Sequence, residues 1–257
     1  MSDRSPTLRA RLRAGETTFG TFLNIGSPIS SELCARAGFD WVILDLEHGA
    51  ATESELLANL YAIESTGVAA IVRPASGERL RIGRALDFGA AGIMVPRVET
   101  AAEAAEAVSY LRWPPDGVRG LALLTRGAQL GEVGHASVSA LNERVVGVIQ
   151  IESPRAVEEA AAIAAVDGVD VLFVGPTDLS HAMGVPGRFD DPGFGRALEH
   201  VVAAADEAGK VAGILLRDAT ALPRHLELGF RFIGLGSDLA FVTDGARAVL
   251  AGARAVV

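Results

Sequence analysis

Short apolar runs alternate with amphipathic stretches along the whole chain. The runs predict strands at Thr18–Asn24, Trp41–Asp45, Ala69–Arg73, Gly92–Pro96, Val146–Glu152, Asp170–Gly175, Val211–Leu215 and Phe232–Gly236. Strands alternating with helices read as a parallel α/β fold. Eight strands favour a closed (β/α)8 barrel over an open doubly wound sheet. Helix starts are marked by capping-box spacing at Thr52–Glu55 and Thr100–Glu103, and by Ser153-Pro154 and Asp191-Pro192. Helices are expected over Thr7–Ala14, Ala101–Leu111 and Arg155–Ala165. The tail, Asp244–Val257, reads as a mostly apolar helix that either seals its own barrel or packs on a neighbouring subunit. Between strands four and five runs a long irregular stretch, Trp113–Val138. A loop of that length in a barrel is more often functional than idle.

The chain has 257 residues, enough for one barrel domain spanning 1–257. Hydrophobic residues make up 49% and aromatics 5%, which suits close helix-on-strand packing. The net charge of −9, with no basic block, argues against nucleic acid or an anionic membrane as partner. No apolar run reaches bilayer-spanning length, and the Arg-rich start lacks the apolar stretch of a secretory signal. Cys34 is the only cysteine, so a disulfide framework and a thiolate metal cluster are excluded. These features fit a cytoplasmic protein. Lys210 is the only lysine, and it precedes a strand, at the end of a barrel remote from chemistry. A Schiff-base mechanism therefore has one poorly placed candidate.

The carboxyl ends of the strands carry the candidate chemistry. Glu152 and Asp178 each follow an apolar run and precede a helix start. One helix plus one strand separates them, so both can reach one mouth. Paired carboxylates suit a hard divalent metal; they could equally be helix N-cap acids. Gln150 alternates onto the same face as Glu152. Asp45 and His48 leave strand two, and a histidine there can act as general base or simply be a loop or capping residue. Glu47 is the second acid of that turn. Arg73 ends strand three, where a guanidinium can steady a developing enolate or form a surface ion pair. Asp87 closes a helix, and it matters to the chemistry only by folding back onto His48. The backbone of Thr177 and Asp178 opens a helix and could receive a substrate carboxylate. Together these residues suggest a metal-dependent enzyme acting on a small 2-oxo acid. Of the other histidines, His135 and His181 could line the mouth, whereas His200 and His225 read as helix-surface residues.

In order along the chain stand Asp45-Leu46-Glu47-His48-Gly49, Val72-Arg73-Pro74, Leu86-Asp87-Phe88-Gly89-Ala90, Ile93-Met94-Val95-Pro96, Gln150-Ile151-Glu152 and Val174-Gly175-Pro176-Thr177-Asp178-Leu179. The set resembles the HpcH/HpaI aldolase family of class II pyruvate aldolases, from about Gly20 to Asp238. The resemblance implies a TIM barrel of the phosphoenolpyruvate/pyruvate type. It implies reversible aldol cleavage of 4-hydroxy-2-oxo acids to pyruvate and an aldehyde, dependent on Mg²⁺, Mn²⁺ or Co²⁺. By matched position, Glu152 and Asp178 are the metal ligands and His48, held by Asp87, is the base or proton relay. Arg73 steadies the enolate, while Asp45 and Gln150 order the waters around the cation and the pyruvate. The resemblance also implies a homo-oligomer, a hexamer being favoured, with an exchanged C-terminal helix. Thr177 stands where the family usually has alanine and would meet the pyruvate carboxylate. Arg126 is the candidate for a family arginine at the aldehyde end. The rival readings are another lyase, decarboxylase or hydrolase on the same enolate platform, or a non-catalytic 2-oxo-acid-binding barrel.

Overall fold

The computed structural model describes residues 6–256. Eight parallel strands close into a barrel in chain order: β1 (Thr18–Leu23), β2 (Trp41–Asp45), β3 (Ala69–Arg73), β4 (Gly92–Val95), β5 (Val146–Ile151), β6 (Val171–Val174), β7 (Val211–Leu216) and β8 (Phe232–Ser237). Each expected strand is present, and differences are confined to the ends. Around them lie α1 (Leu8–Arg13), α2 (Pro28–Arg36), α3 (Glu53–Glu64), α4 (Arg79–Asp87), α5 (Ala101–Leu111), α6 (Pro154–Glu158), α7 (Ala160–Ala164), α8 (Pro176–Ala182), α9 (Pro192–Glu207), α10 (Leu222–Leu228) and α11 (Asp238–Arg254). Both capping boxes form, with Thr52 and Thr100 as caps. Ser153 and Asp191 cap α6 and α9 through their side chains. The single helix expected over Arg155–Ala165 is broken at Glu159, whose ψ of 0° separates α6 from α7.

Alternation along the strands builds two apolar layers. Trp41, Ile43, Ile71, Val146, Val148, Phe173 and Phe232 fill the barrel interior, and the opposite faces pack on the helices. Trp41 stacks on Phe232 with centroids 3.9 Å apart and rings 1° from parallel. Gly20 makes room for that indole: a Cβ there would lie 2.1 Å from Trp41 Cδ2. α1 closes the amino-terminal end, where Leu8 and Leu12 join the interior cluster. Arg9, buried in the same plug, donates from Nε to Asp170 at 2.8 Å. The amino end is thus sealed, and the open mouth lies at the carboxyl ends of the strands.

The long stretch after α5 contains 3-10 turns at Arg126–Gly131 and Val138–Arg144. It connects a helix to the start of β5, so it belongs to the amino-terminal side rather than the mouth. Its anchors confirm this: Arg126 lies over the Tyr61 ring at 3.8 Å, donates to Phe88 O and pairs with Glu64. Arg126 therefore does not reach the aldehyde end of its own barrel. His135, in the same stretch, does not line the mouth either.

The C-terminal helix starts earlier than expected, at Asp238 with Ser237 as its cap. Only Asp238 is buried, and every described residue from 244 onward is exposed. The helix does not seal its own barrel. Leu239, Phe241, Val242, Val249 and Leu250 stand open to solvent along it, and Val256 just beyond its end. Among the described residues, no helix is long and apolar enough to cross a membrane.

Candidate active site at the barrel mouth

The strand alternation that buries Ile43, Ile71 and Val148 inside continues two residues on to Asp45, Arg73 and Gln150. Polar groups thus form the next layer up, at the mouth. Asp45 is 1% exposed and is the hub. Arg73 donates to it twice, Nε to Oδ1 at 2.8 Å and Nη2 to Oδ2 at 2.6 Å. Asn24 Nδ2 donates to Oδ2 at 2.6 Å, and the N–H groups of Glu47 and His48 donate to Oδ1. Burial alone would raise the Asp45 carboxyl; the Arg73 hydrogen bonds and charge, with those two N–H groups, outweigh it and hold it below the usual range. Gly49 lets the turn close, because a Cβ there would lie 2.1 Å from Asp45 O. Arg73 Nη1 also lies 3.2 Å from Glu47 Oε2, so Arg73 is a buried, paired group and not a surface ion.

His48 emerges from this turn with its side chain 65% exposed. Its nearest carboxylate is Glu47 Oε2, 3.8 Å from Nε2. Asp87 does not reach it. α4 runs antiparallel to the strands, so its last residue lies at the amino-terminal side of the barrel, roughly 13 Å of helix below the mouth. There Asp87 accepts from Arg119 Nη2 at 2.9 Å. The expected Asp87–His48 pair is absent within one chain for this topological reason.

Glu152 and Asp178 are not N-caps: Ser153 and Gly175 occupy those positions. Glu152 Oε1 accepts from the Arg97 N–H at 2.8 Å, and Oε2 from Gln150 Nε2 at 3.1 Å. Arg97 reaches it from a left-handed backbone conformation, φ 58°, which is uncommon for a side chain of that size. Burial pushes the Glu152 carboxyl up, and the charges of Asp178 and Glu47 add to this against the Arg97 N–H and Arg73. Glu152 and Asp178 line one cavity of ≈ 300 Å³ with Glu47 and His48. His48 and Asp178 also line the adjoining cavity of ≈ 650 Å³, shared with Asp45, Arg73, Gln150 and Thr177.

These donors fit a hard cation. Glu152, half-buried, and Asp178, exposed, line the same cavity, and Gln150 Oε1 is buried without a hydrogen-bond partner. Among the described residues no group of three or more His, Cys, Asp or Glu side chains could hold a metal. A two-carboxylate seat leaves the remaining positions to water and substrate oxygens, as Mg²⁺ sites commonly do.

Three participants escaped the sequence reading. Asn24 bonds Asp45 from the end of β1. Asp238, 2% exposed, accepts from the N–H groups of Asn24 and Ile25 and from Ser30 Oγ, fixing the loop that carries Asn24. Both directly follow strands and could have been flagged by position; the Arg97 N–H has no sequence signal. His181 is exposed on α8 outside both cavities. His225, expected at the surface, is buried against Phe230 and bonds Ala221 O. Lys210 lies at the amino-terminal start of β7, as expected.

The family model described as HpcH/HpaI aldolase/citrate lyase matches residues 18–244. A relative named 5-keto-4-deoxy-D-glucarate aldolase, from Klebsiella pneumoniae, is 39% identical over 231 residues, covering 90% of each chain. A pyruvate aldolase from Rhizobium etli is 37% identical over 95% of both chains. The crystal structure of an HpcH/HpaI aldolase/citrate lyase family protein from Burkholderia cenocepacia superposes with a TM-score of 0.91 at 36% identity, covering 96% of this chain and 98% of that one. Matching in sequence and in fold, the chain belongs to the HpcH/HpaI aldolase/citrate lyase family.

Proposed function

We propose that the chain, as one (β/α)8 domain over 1–257, is a carbon–carbon lyase of the aldehyde-lyase type. It cleaves 4-hydroxy-2-oxo acids reversibly to pyruvate, or a close 2-oxo acid, and an aldehyde. The observation that carries this reading is the meeting at one mouth of the Glu152–Asp178 seat, the buried Arg73 guanidinium and the exposed His48 imidazole. The relatives' names, aldolases of 5-keto-4-deoxy-D-glucarate and of pyruvate, support it.

Glu152 and Asp178 hold Mg²⁺, Mn²⁺ or Co²⁺, which when bound supplies Lewis acidity that eases loss of a proton beside the keto group. His48 takes that proton from the methyl carbon, directly or through a water. Arg73 carries the charge that answers the developing oxyanion. Two of its five N–H donors are engaged on Asp45, so donors remain for a substrate oxygen. Asp45 acts through Arg73 and the His48 turn, as a positioning residue. Gln150 offers its free oxygen to the cation's water shell. Thr177 and the Asp178 N–H meet the substrate carboxylate. In cleavage the same groups work in reverse: a base takes the 4-hydroxyl proton, the C3–C4 bond breaks, and the enolate is reprotonated.

A homo-oligomer, a hexamer being favoured, belongs to the same reading. The exposed apolar residues of α11 support exchange of that helix with a neighbour. Asp87 can approach a His48 only on another copy. A cytoplasmic location agrees with the free, half-buried Cys34.

Product analysis tests the activity. Incubation with a 4-hydroxy-2-oxo acid and a divalent cation yields pyruvate and aldehyde in equal amounts. Turnover of oxaloacetate to pyruvate and CO₂, with no cleavage of any hydroxy-oxo acid, would assign the platform to a decarboxylase instead.

A further inference from the structure

The larger cavity extends well beyond the carboxylates, to the ends of β7 and β8. Its far wall holds Phe189, Ser237, Ala240 and Arg217. Arg217 directly follows β7. Along that strand Val211 and Leu215 pack with the interior cluster, whereas Ala212, Ile214 and Leu216 belong to the outer layer. Carried one step further, the inward series reaches Arg217, as it reaches Asp45 on β2 and Arg73 on β3. In the closed order of eight strands, β7 stands four strands from β3 in either direction. The two guanidiniums therefore belong to opposite walls of one mouth.

They differ in state. Arg73 is buried and paired with Asp45 and Glu47. Arg217 is exposed, and no carboxylate of the described residues pairs with it within 4.0 Å. Its neighbour Asp218 is engaged elsewhere, accepting from the Thr220 N–H at 2.7 Å. The carboxylates at and beside the mouth, Asp45, Glu47, Glu152 and Asp178, repel a second anion from the β2–β6 side. An anionic substituent entering with the aldehyde is drawn to the β7 wall.

We infer that Arg217 is a specificity-determining residue, reading an anionic group, carboxylate or phosphate, at the end of the acceptor aldehyde remote from its carbonyl. The inference rests on the aldolase reading and adds to it the chemical class of the second substrate. The reaction itself is unchanged: pyruvate C3 bonds to the aldehyde carbon, and the aldehyde oxygen takes up a proton. A guanidinium matches a carboxylate or phosphate with two parallel hydrogen bonds, which lysine cannot reproduce.

The test measures kcat/KM for aldol addition of pyruvate to matched acceptors. Succinic semialdehyde is paired with butanal, and D-glyceraldehyde 3-phosphate with D-glyceraldehyde. Wild-type protein, R217A, R217K and R217E are compared. The anionic-to-neutral ratio is expected to fall about tenfold to a hundredfold in R217A, less in R217K, and further in R217E. Whichever pair shows the larger fall identifies carboxylate or phosphate as the group read. A ratio that stays constant across all four proteins overturns the inference while leaving the aldolase reading intact. Wild-type protein that neither adds pyruvate to any acceptor nor exchanges its methyl protons removes the aldolase reading itself.

Discussion

Arg73 and Asp45 join β3 to β2 by a two-point ion pair, 2.8 and 2.6 Å long, directly beneath the mouth. The same carboxylate receives the N–H groups of Glu47 and His48, so one buried acid fixes both the Arg73 guanidinium and the turn that presents His48. Removing one partner of a buried pair typically costs about 3–5 kcal/mol. D45N should lose stability toward the low end of that range, because Glu47 remains beside Arg73. The sign with pH follows from the depressed carboxyl. Its contribution is present above the ordinary Asp value of 3.8 and is lost as pH falls through its lower folded value. Denaturation midpoints of wild type and D45N should therefore converge below pH 3.8. A gap that stays constant into acid contradicts the role given to the charge.

Arg73→Ala should slow enolate formation on the order of 10²-fold or more, as for loss of one oxyanion donor. Exchange of pyruvate methyl protons in heavy water reads this step without an acceptor aldehyde. R73K should recover only part of the rate, since a lysine cannot make the two-point contact with Asp45. An R73A protein that exchanges at the wild-type rate would show that Arg73 has only a structural part.

Glu152 is held with its carboxyl raised, by burial first and then by Asp178 and Glu47. In chelator, the folded state loses stability as pH rises from the ordinary Glu value of 4.5 through the raised value. E152Q removes that loss, so in chelator it should melt at or above the wild-type temperature at neutral pH. It should also lose most of the stabilisation that Mn²⁺ gives wild-type protein. Melting curves with and without Mn²⁺ measure both effects. An E152Q protein that is stabilised by Mn²⁺ as strongly as wild type places the cation elsewhere.

The exposed α11 apolar residues predict the assembly. V249D with L250D adds charge to the part of the helix, from residue 244 onward, that is wholly exposed, so the monomer should fold unchanged. The particle mass from light scattering should drop below that of the wild-type protein. An unaltered mass would mean that the exposed helix face is not an interface.

Fold and site were legible to different depths. Strands such as Trp41–Asp45 and Ala69–Arg73 were readable because apolar runs buried on both faces leave little freedom in where they begin and end. Asp45, Arg73, Gln150 and Glu152 were readable because period-two alternation lifts them out of the interior layer into the mouth. What failed depends on direction and distance. Asp87 and Arg126 carry suitable chemistry, but one ends a descending helix and the other lies in a helix-to-strand connection, so both fall at the opposite end of the barrel. The Arg97 N–H reaches Glu152 through an αL backbone, and no residue type announces that. The kink at Glu159 is likewise invisible in an alanine-rich stretch with uniform helix propensity.

The central claim is that Glu152 and Asp178 grip one cation through which pyruvate becomes an enolate donor. Metal-stripped protein is incubated with pyruvate in heavy water, and Mg²⁺, Mn²⁺ or Co²⁺ is then added while loss of the methyl proton signal is followed. The account predicts no enzymatic exchange before addition, rapid exchange after it, and no response in E152Q or D178N. Exchange that proceeds equally well with cation absent, accompanied by a borohydride-trapped adduct on Lys210, would contradict it.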